Sequence, residues 1–359
     1  MNTRRLGRTN LQVSTIGFGG ARLDEQPEHA TETVHRALEN SVNFIDTARY
    51  YGNSEKFLGI ALKGHRDEVI LATKSLIATP DISRQSLETS LSLLQLDGVD
   101  LLYAHACDNE DRYDDLTRKN GMLKTLESIR EEGITRFLGV SFNHFLPFER
   151  DRTGVDRMKT LIMTDAFDVI QVPMSLIRIE RIEEEVLPLA AEYDMGVVVN
   201  FPTANGLLTT DIGAFWNVFS PHVQTPCQGA LLGPLLQPAV TSVLSGMSTP
   251  EMADENCAVG TILADLSAAD LNRLWEEIVS LGIGSCRSCG RCGPFTGGVP
   301  VAQILTYWDA YKRFGIEGAR AQFEAYRQQA LSASSFKGAD AVCPAEMNVL
   351  EEVQRVFEG

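Results

Sequence analysis

Short apolar runs rich in β-branched residues alternate with longer amphipathic segments along the first 262 residues of the chain. The amphipathic segments repeat apolar residues every three or four positions, which predicts helices. The apolar runs have the length and composition of buried strands, and they cover residues 15–19, 43–47, 69–73, 99–105, 137–141, 168–172, 197–201 and 242–246. The alternation predicts parallel strands with crossover helices. The count of eight favours a closed (β/α)8 TIM barrel over an open doubly wound sheet.

The two ends of the chain carry different patterns. Residues 4–14 place a turn signal between two short apolar stretches, which predicts a β-hairpin that caps the floor of the barrel. After the barrel pattern ends, apolar periodicity predicts helices at 301–315, at 319–333 and at the C-terminus. We therefore expect two domains, an α/β barrel over residues 1–265 and a small, mostly α-helical domain over residues 266–359.

The composition is that of a soluble enzyme. The chain has 359 residues, 44% hydrophobic content, a net charge of -16 and a pI near 4.9. This negative charge repels phosphate backbones and anionic lipids, so nucleic acid and membrane surfaces are poor partners. The N-terminus has no apolar leader, and the most apolar later segment, residues 229–247, is interrupted by Pro234 and Pro238. We expect a cytoplasmic protein that acts on a small molecule.

Three cysteines spaced three residues apart are followed by a remote Cys-Pro pair, and the candidate ligands are Cys286, Cys289, Cys292 and Cys343. This arrangement resembles the ligands of a [4Fe-4S] cluster in bacterial ferredoxins, so the second domain is expected to be ferredoxin-like. A zinc ribbon more often uses two separated Cys-x-x-Cys pairs, which makes zinc the second interpretation and metal-free buried thiols the third. Only one cluster is expected, because the positions that a second would need hold Phe295, Ala333, Phe336 and Ala339.

Ionisable side chains follow three successive predicted strands. Asp46 ends the second strand within an Asp-Thr-Ala-x-x-Tyr-Gly motif that contains Tyr51, Lys74 follows the third strand, and His105 ends the fourth. Each residue alone has a structural explanation, as a helix cap, a packed ring, a surface cation or a core histidine. The carboxyl ends of barrel strands share one rim, however, so all four groups are expected to meet there. Their order and spacing resemble the catalytic tetrad of the aldo-keto reductases, and the resemblance covers the whole predicted barrel.

The resemblance implies hydride transfer between a cofactor and an aldehyde, a ketone, or a sugar lactol or lactone. Hydride arriving at a carbonyl carbon leaves charge on the oxygen, so a proton donor is needed, and Tyr51 is that donor. The ammonium of Lys74 is expected to lower the pKa of the phenol, and Asp46 to keep the ammonium charged and oriented. His105 is expected to orient the carbonyl. In the reverse direction Tyr51 would act as the base.

The resemblance also implies a nicotinamide cofactor, NAD(H) or NADP(H). Two positions near the expected nicotinamide site depart from the family pattern. Phe142 stands where many members have Asn, and Asn200 stands where many members stack an aromatic ring on the nicotinamide. By the family pattern, Ser141 and Gln171, each at a strand end, hold the carboxamide of the nicotinamide. The other cofactor-binding positions in this part of the chain are Gly20 and Phe201.

The segment after the last predicted strand matches the part of the family that binds the rest of the cofactor. Gly246, Met247 and Ser248 match the phosphate-binding residues, and Glu255 and Asn256 match the adenine-binding pair. Members that choose NADP(H) usually have Lys or Arg here for the 2′-phosphate, but this segment has no basic residue and three acidic ones. A phosphate beside unpaired carboxylates is unfavourable, so NAD(H) is favoured.

Two other functions remain open at this point. The cluster could relay single electrons between the barrel and an electron-transfer partner, or the barrel could be a non-catalytic subunit. The complete set of four ionisable residues argues against a non-catalytic barrel. Hydride transfer is a two-electron step that needs no relay, and a cluster can cross-link a small domain that lacks a large core, so we expect a mainly structural cluster.

Overall fold

Eight parallel strands close into a barrel, and a hairpin precedes them. The computed structural model describes residues 1–75, 79–107, 110–119, 121–143, 153–177, 182–281, 286, 291–343 and 346–358. The hairpin strands are β1 (Thr3–Arg5) and β2 (Gln12–Ser14), and the barrel strands are β3 (Ile16–Gly19), β4 (Phe44–Asp46), β5 (Ile70–Ser75), β6 (Val99–Ala104), β7 (Thr135–Ser141), β8 (Val169–Pro173), β9 (Gly196–Asn200) and β10 (Ser242–Gly246). The barrel strands follow each other around the barrel in chain order, and β10 closes it against β3. The predicted TIM barrel and hairpin are confirmed.

Helices occupy the connections between the strands and the segment after the barrel. The helices within the barrel are α1 (Ala30–Glu39), α2 (Ser54–Ala61), α3 (Pro80–Leu94), α4 (Glu110–Thr117), α5 (Met122–Glu131), α6 (Thr153–Met163), α7 (Leu187–Glu192), α8 (Trp216–Phe219), α9 (Pro226–Leu235) and α10 (Pro250–Asp265). Those that follow are α11 (Ala268–Leu281), α12 (Val301–Lys312), α13 (Arg320–Glu324), α14 (Arg327–Ser332), α15 (Ala339–Val342) and α16 (Val349–Glu358). The described part of the segment beyond the barrel is helical, as predicted. No described helix is long and apolar enough to cross a membrane.

The hairpin closes the amino-terminal end of the barrel. Its residues Leu6 and Val13 are fully buried and pack against side chains of the barrel interior, including Phe44, Leu101, Val169 and Val198. Gly7 permits this close approach, because it has a φ of +49° and a Cβ there would lie 2.2 Å from the amide nitrogen of Gly196. With the floor filled by side chains, the rim at the carboxyl ends of the strands is left for binding.

The helices after the barrel pack against a loop at this rim. The backbone amide of Ala214 donates to the carbonyl oxygen of Phe314 at 2.6 Å, and the rings of Phe215 and Phe314 have centroids 4.6 Å apart. Gly213 has a φ of +52°, and a Cβ there would lie 1.7 Å from the same carbonyl oxygen. This contact therefore requires glycine, and it ties the C-terminal helices to the barrel.

Candidate active site

A buried ion pair lies at the rim of the barrel. Lys74, on β5, donates from Nζ to Asp46 Oδ1 at the end of β4 and to the carbonyl oxygen of Thr47 at 3.0 Å. The two ionic side chains are 0% and 2% exposed. Gln171, on β8, donates from Nε2 to Asp46 Oδ2 at 2.9 Å. Each carboxylate oxygen of Asp46 therefore has a donor, as a buried charge requires.

Tyr51 lies beside this ion pair, in the turn after β4. The ammonium nitrogen of the pair is 4.9 Å from the centroid of its ring. Gly52 has a φ of +53°, and a Cβ there would lie 2.3 Å from Asp24 Oδ2, so the turn requires the glycine of the motif. An ion pair between Arg49 and the fully buried Glu55 spans the turn. These contacts fix the backbone before and after Tyr51 and so hold its ring beside the ion pair.

Burial and charge act against each other in this group. Burial has the largest single effect on the pKa of Lys74 and lowers it, but the charges and hydrogen bonds of Asp46 and Tyr51 together exceed burial and raise the pKa, so the side chain remains an ammonium. Burial raises the pKa of Tyr51, and the charge of Lys74 opposes this increase. The predicted lowering by Lys74 is present, but burial outweighs it. Tyr51 is therefore a neutral phenol at neutral pH, the form that can donate a proton.

His105 follows β6 and faces Tyr51. The two rings meet edge to face with centroids 6.1 Å apart, and His105 Nε2 lies 3.3 Å from the side-chain nitrogen of Asn143. Burial, together with the positive charges of Lys74 and Arg112, lowers the pKa of His105 to about 3. The imidazole is therefore neutral at neutral pH, so it can form a hydrogen bond to a substrate but does not carry the additional proton of the imidazolium form.

A cavity of about 570 Å³ opens at this rim, and its lining includes the predicted residues Asp46, Tyr51, Gln171, Phe201, Gly246, Glu255 and Asn256. The predicted residues Ser141, Met247 and Ser248 are buried outside this lining. Gly20 is also buried, and a Cβ there would lie 2.6 Å from Ser54 Oγ, so it packs against α2 while its neighbour Gly19 lines the cavity. The cavity is therefore lined by two residues of the predicted tetrad, Asp46 and Tyr51, and by five of the nine predicted cofactor-binding residues. Lys74 and His105 lie behind this lining, in contact with Asp46 and with the ring of Tyr51.

The part of the cavity near the ion pair contains linked amide groups. Asn200 donates from Nδ2 to the carbonyl oxygen of Phe142 at 3.0 Å and to Gln171 Oε1 at 3.3 Å. Asn200 Oδ1 is buried and has no hydrogen-bond partner in the described part of the chain. The ring of Phe142 is buried in the core, and Ser141 Oγ accepts from the amide of Ala106 at 3.3 Å. Gln171, predicted to bind the carboxamide, thus has both ends of its side chain engaged by the protein.

The opposite part of the cavity is bounded by β10 and α10. Asn256 donates from Nδ2 to Ser245 Oγ at 2.8 Å, and Glu255 Oε1 accepts from Thr225 Oγ1 at 2.6 Å. Thr249 caps α10 by accepting from the backbone amide of Met252 at 3.3 Å. The predicted adenine-binding pair is therefore held in place at the cavity, close to a capped helix N-terminus.

Arg22 also lines the cavity, and sequence reasoning missed it. It follows β3, and a Cβ at Gly246 would lie 2.8 Å from Arg22 Cδ, so its aliphatic stem covers the predicted phosphate-binding segment. Its Nε pairs with Glu25 at 3.0 Å, and its side chain is 48% exposed. Arg22 lies outside residues 246–256, where a cation was sought. The sequence signal for it is an arginine just after the first glycine-rich strand. This signal is informative only if the barrel closes, because β3 and β10 are then neighbours.

Three of the four predicted metal ligands, Cys286, Cys292 and Cys343, are half-buried, and Cys289 lies outside the described residues. Cys292 directly precedes the short helix Gly293–Phe295, which contacts α15, and Cys343 directly follows α15. Among the described side chains, no group of three or more His, Cys, Asp or Glu is arranged to hold a metal ion. The [4Fe-4S] cluster and the zinc alternative both stay predictions.

Known proteins match the barrel region of the chain. Residues 15–277 match the model of the Aldo/keto reductase family. L-galactose dehydrogenase of Arabidopsis thaliana is 30% identical over 294 residues, which cover 73% of this chain and 89% of that protein. An uncharacterised oxidoreductase of Bacillus subtilis is 27% identical over 315 residues, 77% of this chain and 94% of that protein. The structure of a Klebsiella pneumoniae aldo-keto reductase in complex with NADPH superposes with a TM-score of 0.60 at 24% identity, over 77% of this chain and 95% of that chain.

Proposed function

Since this chain belongs to the aldo/keto reductase family, we propose that it is an oxidoreductase that interconverts a carbonyl compound and its alcohol with NAD(H) or NADP(H). The observation that carries the proposal is the buried ion pair of Asp46 and Lys74, which lies next to Tyr51 at the cavity. A buried ion pair adds little net stability compared with apolar residues of the same volume. Its place in a cavity beside a phenol therefore favours a catalytic role.

Each member of the group has a defined task in this proposal. Tyr51 gives its proton to the substrate oxygen, and the phenolate that forms is stabilised by the ammonium of Lys74. Asp46 keeps that ammonium charged, and Gln171 holds the second carboxylate oxygen of Asp46. The neutral imidazole of His105 orients the carbonyl group. In alcohol oxidation the same groups act in reverse.

The cavity fits a nicotinamide cofactor, which supplies the hydride when bound. A buried amide oxygen that has no partner among the described residues lies near the ion pair, and a helix N-terminus and an arginine lie toward the other part of the cavity. These groups suit a molecule with a carboxamide at one end and phosphates further along. The residues that we propose to hold the cofactor are Gly20, Ser141, Gln171, Phe201, Gly246, Met247, Ser248, Glu255 and Asn256.

We propose sugars as the first substrate class to test, because the relative from Arabidopsis thaliana is named for L-galactose. The test follows the absorbance of the reduced nicotinamide with aldoses and simple ketones, and the reverse reaction with the cyclic forms of sugars. Turnover with a sugar, and little with unrelated ketones, is the expected result. Tight cofactor binding without turnover on any of these classes would instead favour a non-catalytic barrel.

The surroundings of the cavity favour NADH over NADPH as the tighter ligand. The first turn of α10 carries Glu251, and Glu255 lines the cavity, so a 2′-phosphate near α10 would meet carboxylates. Arg22 lies over Gly246, where it can serve the pyrophosphate, which both cofactors share. Arg22→Ala is therefore expected to weaken NADH and NADPH by the same factor in a fluorescence titration.

The control for this variant is Arg5→Ala, which removes an exposed arginine from the opposite end of the barrel, where Arg5 pairs with Asp194. That change is expected to leave both affinities as they are in the wild type. A selective loss of NADPH affinity in Arg22→Ala would show that Arg22 binds the 2′-phosphate. The preference for NADH would then be wrong.

We further propose that residues 266–359 form an iron–sulfur domain in which Cys286, Cys289, Cys292 and Cys343 hold one [4Fe-4S] cluster. The proposal rests on the spacing of the cysteines and on the contact between the two short helices that directly follow Cys292 and directly precede Cys343. The family match ends at residue 277, before the first of these cysteines. The cluster would link the cysteine run at residues 286–292 to Cys343, and so act mainly as a structural cross-link.

Anaerobically purified protein is accordingly expected to be brown and to contain about four irons per chain. Cys343→Ala is expected to lose iron and to unfold the C-terminal helices at a lower denaturant concentration. Cys257→Ala removes a buried cysteine of α10 and is expected to leave the iron content unchanged. Colourless protein with a single zinc ion would contradict the cluster. Electrons from dithionite that reach product without added nicotinamide would favour the electron relay.

A further inference from the structure

Asn200 lines the cavity, and its side chain has a buried hydrogen-bond acceptor that no described group donates to. It ends β9, is 8% exposed, and lines the cavity with Tyr51 and Gln171. Its side-chain nitrogen has two acceptors, the carbonyl oxygen of Phe142 at 3.0 Å and Gln171 Oε1 at 3.3 Å. Its side-chain oxygen is shielded from solvent and has no partner in the described part of the chain. The buried amide of Asn200 therefore uses its hydrogen-bond donor group but not its acceptor.

The orientation of both amides follows from the charge of Asp46. An ionised carboxylate only accepts hydrogen bonds, so the atom of Gln171 that contacts Asp46 Oδ2 at 2.9 Å must be its NH₂ group. The Gln171 oxygen must then face Asn200, and it can only accept from the NH₂ group of Asn200. The chain of contacts therefore fixes Asn200 Oδ1 as the atom left without a partner.

A buried carbonyl oxygen without a donor costs stability, and native proteins rarely leave one. The cavity beside Asn200 offers room for a ligand that brings the donor. The carboxamide of a nicotinamide ring carries an NH₂ group with two such donors. Phe142, which stands where an amide side chain was expected, is buried in the core and supplies no side-chain acceptor. Asn200 places one on the neighbouring part of the rim.

We propose that Asn200 Oδ1 accepts a hydrogen bond from the carboxamide NH₂ of the cofactor. The inference rests on the proposed use of NAD(P)(H). It makes Asn200 a cofactor-binding residue, although Asn200 was not among the positions predicted to bind the cofactor. Through its bond to Gln171, the same side chain connects the bound carboxamide to Asp46.

The test compares three ligands by equilibrium calorimetry: NAD⁺, its 3-acetylpyridine analogue and ADP-ribose. The analogue keeps the carbonyl oxygen but has a methyl group in place of the NH₂, and ADP-ribose lacks the ring altogether. The wild type is expected to bind NAD⁺ roughly threefold to tenfold more tightly than the analogue, as the net effect of one hydrogen bond. Asn200→Leu, of similar shape, is expected to bind the two equally and to keep its ADP-ribose affinity.

Ser141→Ala is the matched control, because the carbonyl oxygen that a serine hydroxyl would bind is present in both dinucleotides. This variant is expected to keep the preference for NAD⁺. Equal affinities in the wild type would overturn the inference without any variant, as would a preference that survives in Asn200→Leu or disappears in both variants. A wild type that binds neither NAD⁺ nor NADP⁺ would instead refute the proposed function itself.

Discussion

Tyr51→Phe is expected to lower the turnover number by about 10²–10⁴-fold, the usual contribution of a positioned proton donor. The substitution removes only the hydroxyl group, and the ring keeps its packing beside Lys74 and His105. The nicotinamide cofactor does not receive this proton, so its dissociation constant is expected to stay close to that of the wild type. Single-turnover kinetics with preformed enzyme and cofactor measures the chemical step directly.

Tyr50→Phe is the matched control for this variant. Tyr50 precedes Tyr51, its ring centroid lies 5.9 Å from that of His105, and it is 58% exposed. Removal of its hydroxyl is expected to leave turnover near the wild-type rate. More than about a tenth of the wild-type rate in Tyr51→Phe would be too much for a lost proton donor. Another group would then have to deliver the proton.

Lys74→Met is expected to destabilise the fold by about 3–5 kcal/mol, because it leaves a buried carboxylate without its counter-charge. Asp46 is 1% exposed. Among the described side chains, only Gln171 would continue to donate a hydrogen bond to its carboxylate. Urea unfolding followed by circular dichroism measures the loss. Lys63→Met, at an exposed position, is the control and is expected to change the stability by less than about 0.5 kcal/mol.

The double variant Asp46→Asn, Lys74→Met separates charge from packing. It removes both charges and keeps similar side-chain shapes, so it is expected to recover most of the stability lost in Lys74→Met. It is also expected to remain catalytically weak, since Tyr51 has lost its ammonium neighbour. Equal instability of the single and double variants would show that packing, and not an unpaired charge, causes the loss.

The barrel could be predicted from the sequence because its signals are local. Each strand is a short β-branched run, and each run lies between helical periodicities, so eight strands could be placed before any contact was known. The tetrad could be placed as well. Asp46, Lys74 and His105 each lie at or within one residue of the carboxyl end of a strand, and parallel strands bring their carboxyl ends to one rim. These inferences need only the direction of the chain and the closure of the sheet.

Other features depend on contacts between distant parts of the chain. The pKa of Tyr51 depends on how deeply its hydroxyl is buried, which a motif does not encode. The engagement of Gln171 by Asp46 and Asn200 joins three strands, and only the closed barrel brings them together. Arg22 approaches Gly246 because β3 and β10 are neighbours in the barrel although they are far apart in sequence. Such properties belong to the tertiary structure.

The contact of Phe314 with Gly213 couples the stability of the C-terminal tail, the helices α12 to α16, to ligand binding at the barrel. The loop that receives Phe314 continues from residues that line the cavity, among them Gly206 and Thr209, and Leu207 of the same loop packs close to Gly318. Free-energy coupling is reciprocal. A ligand that orders this loop therefore stabilises the docked tail, and a docked tail increases the affinity for the ligand by the same factor. Proteolytic nicking of the C-terminal helices would therefore slow as the cavity fills. Truncation of the chain before Phe314 would therefore increase the dissociation rate of a ligand bound in the cavity.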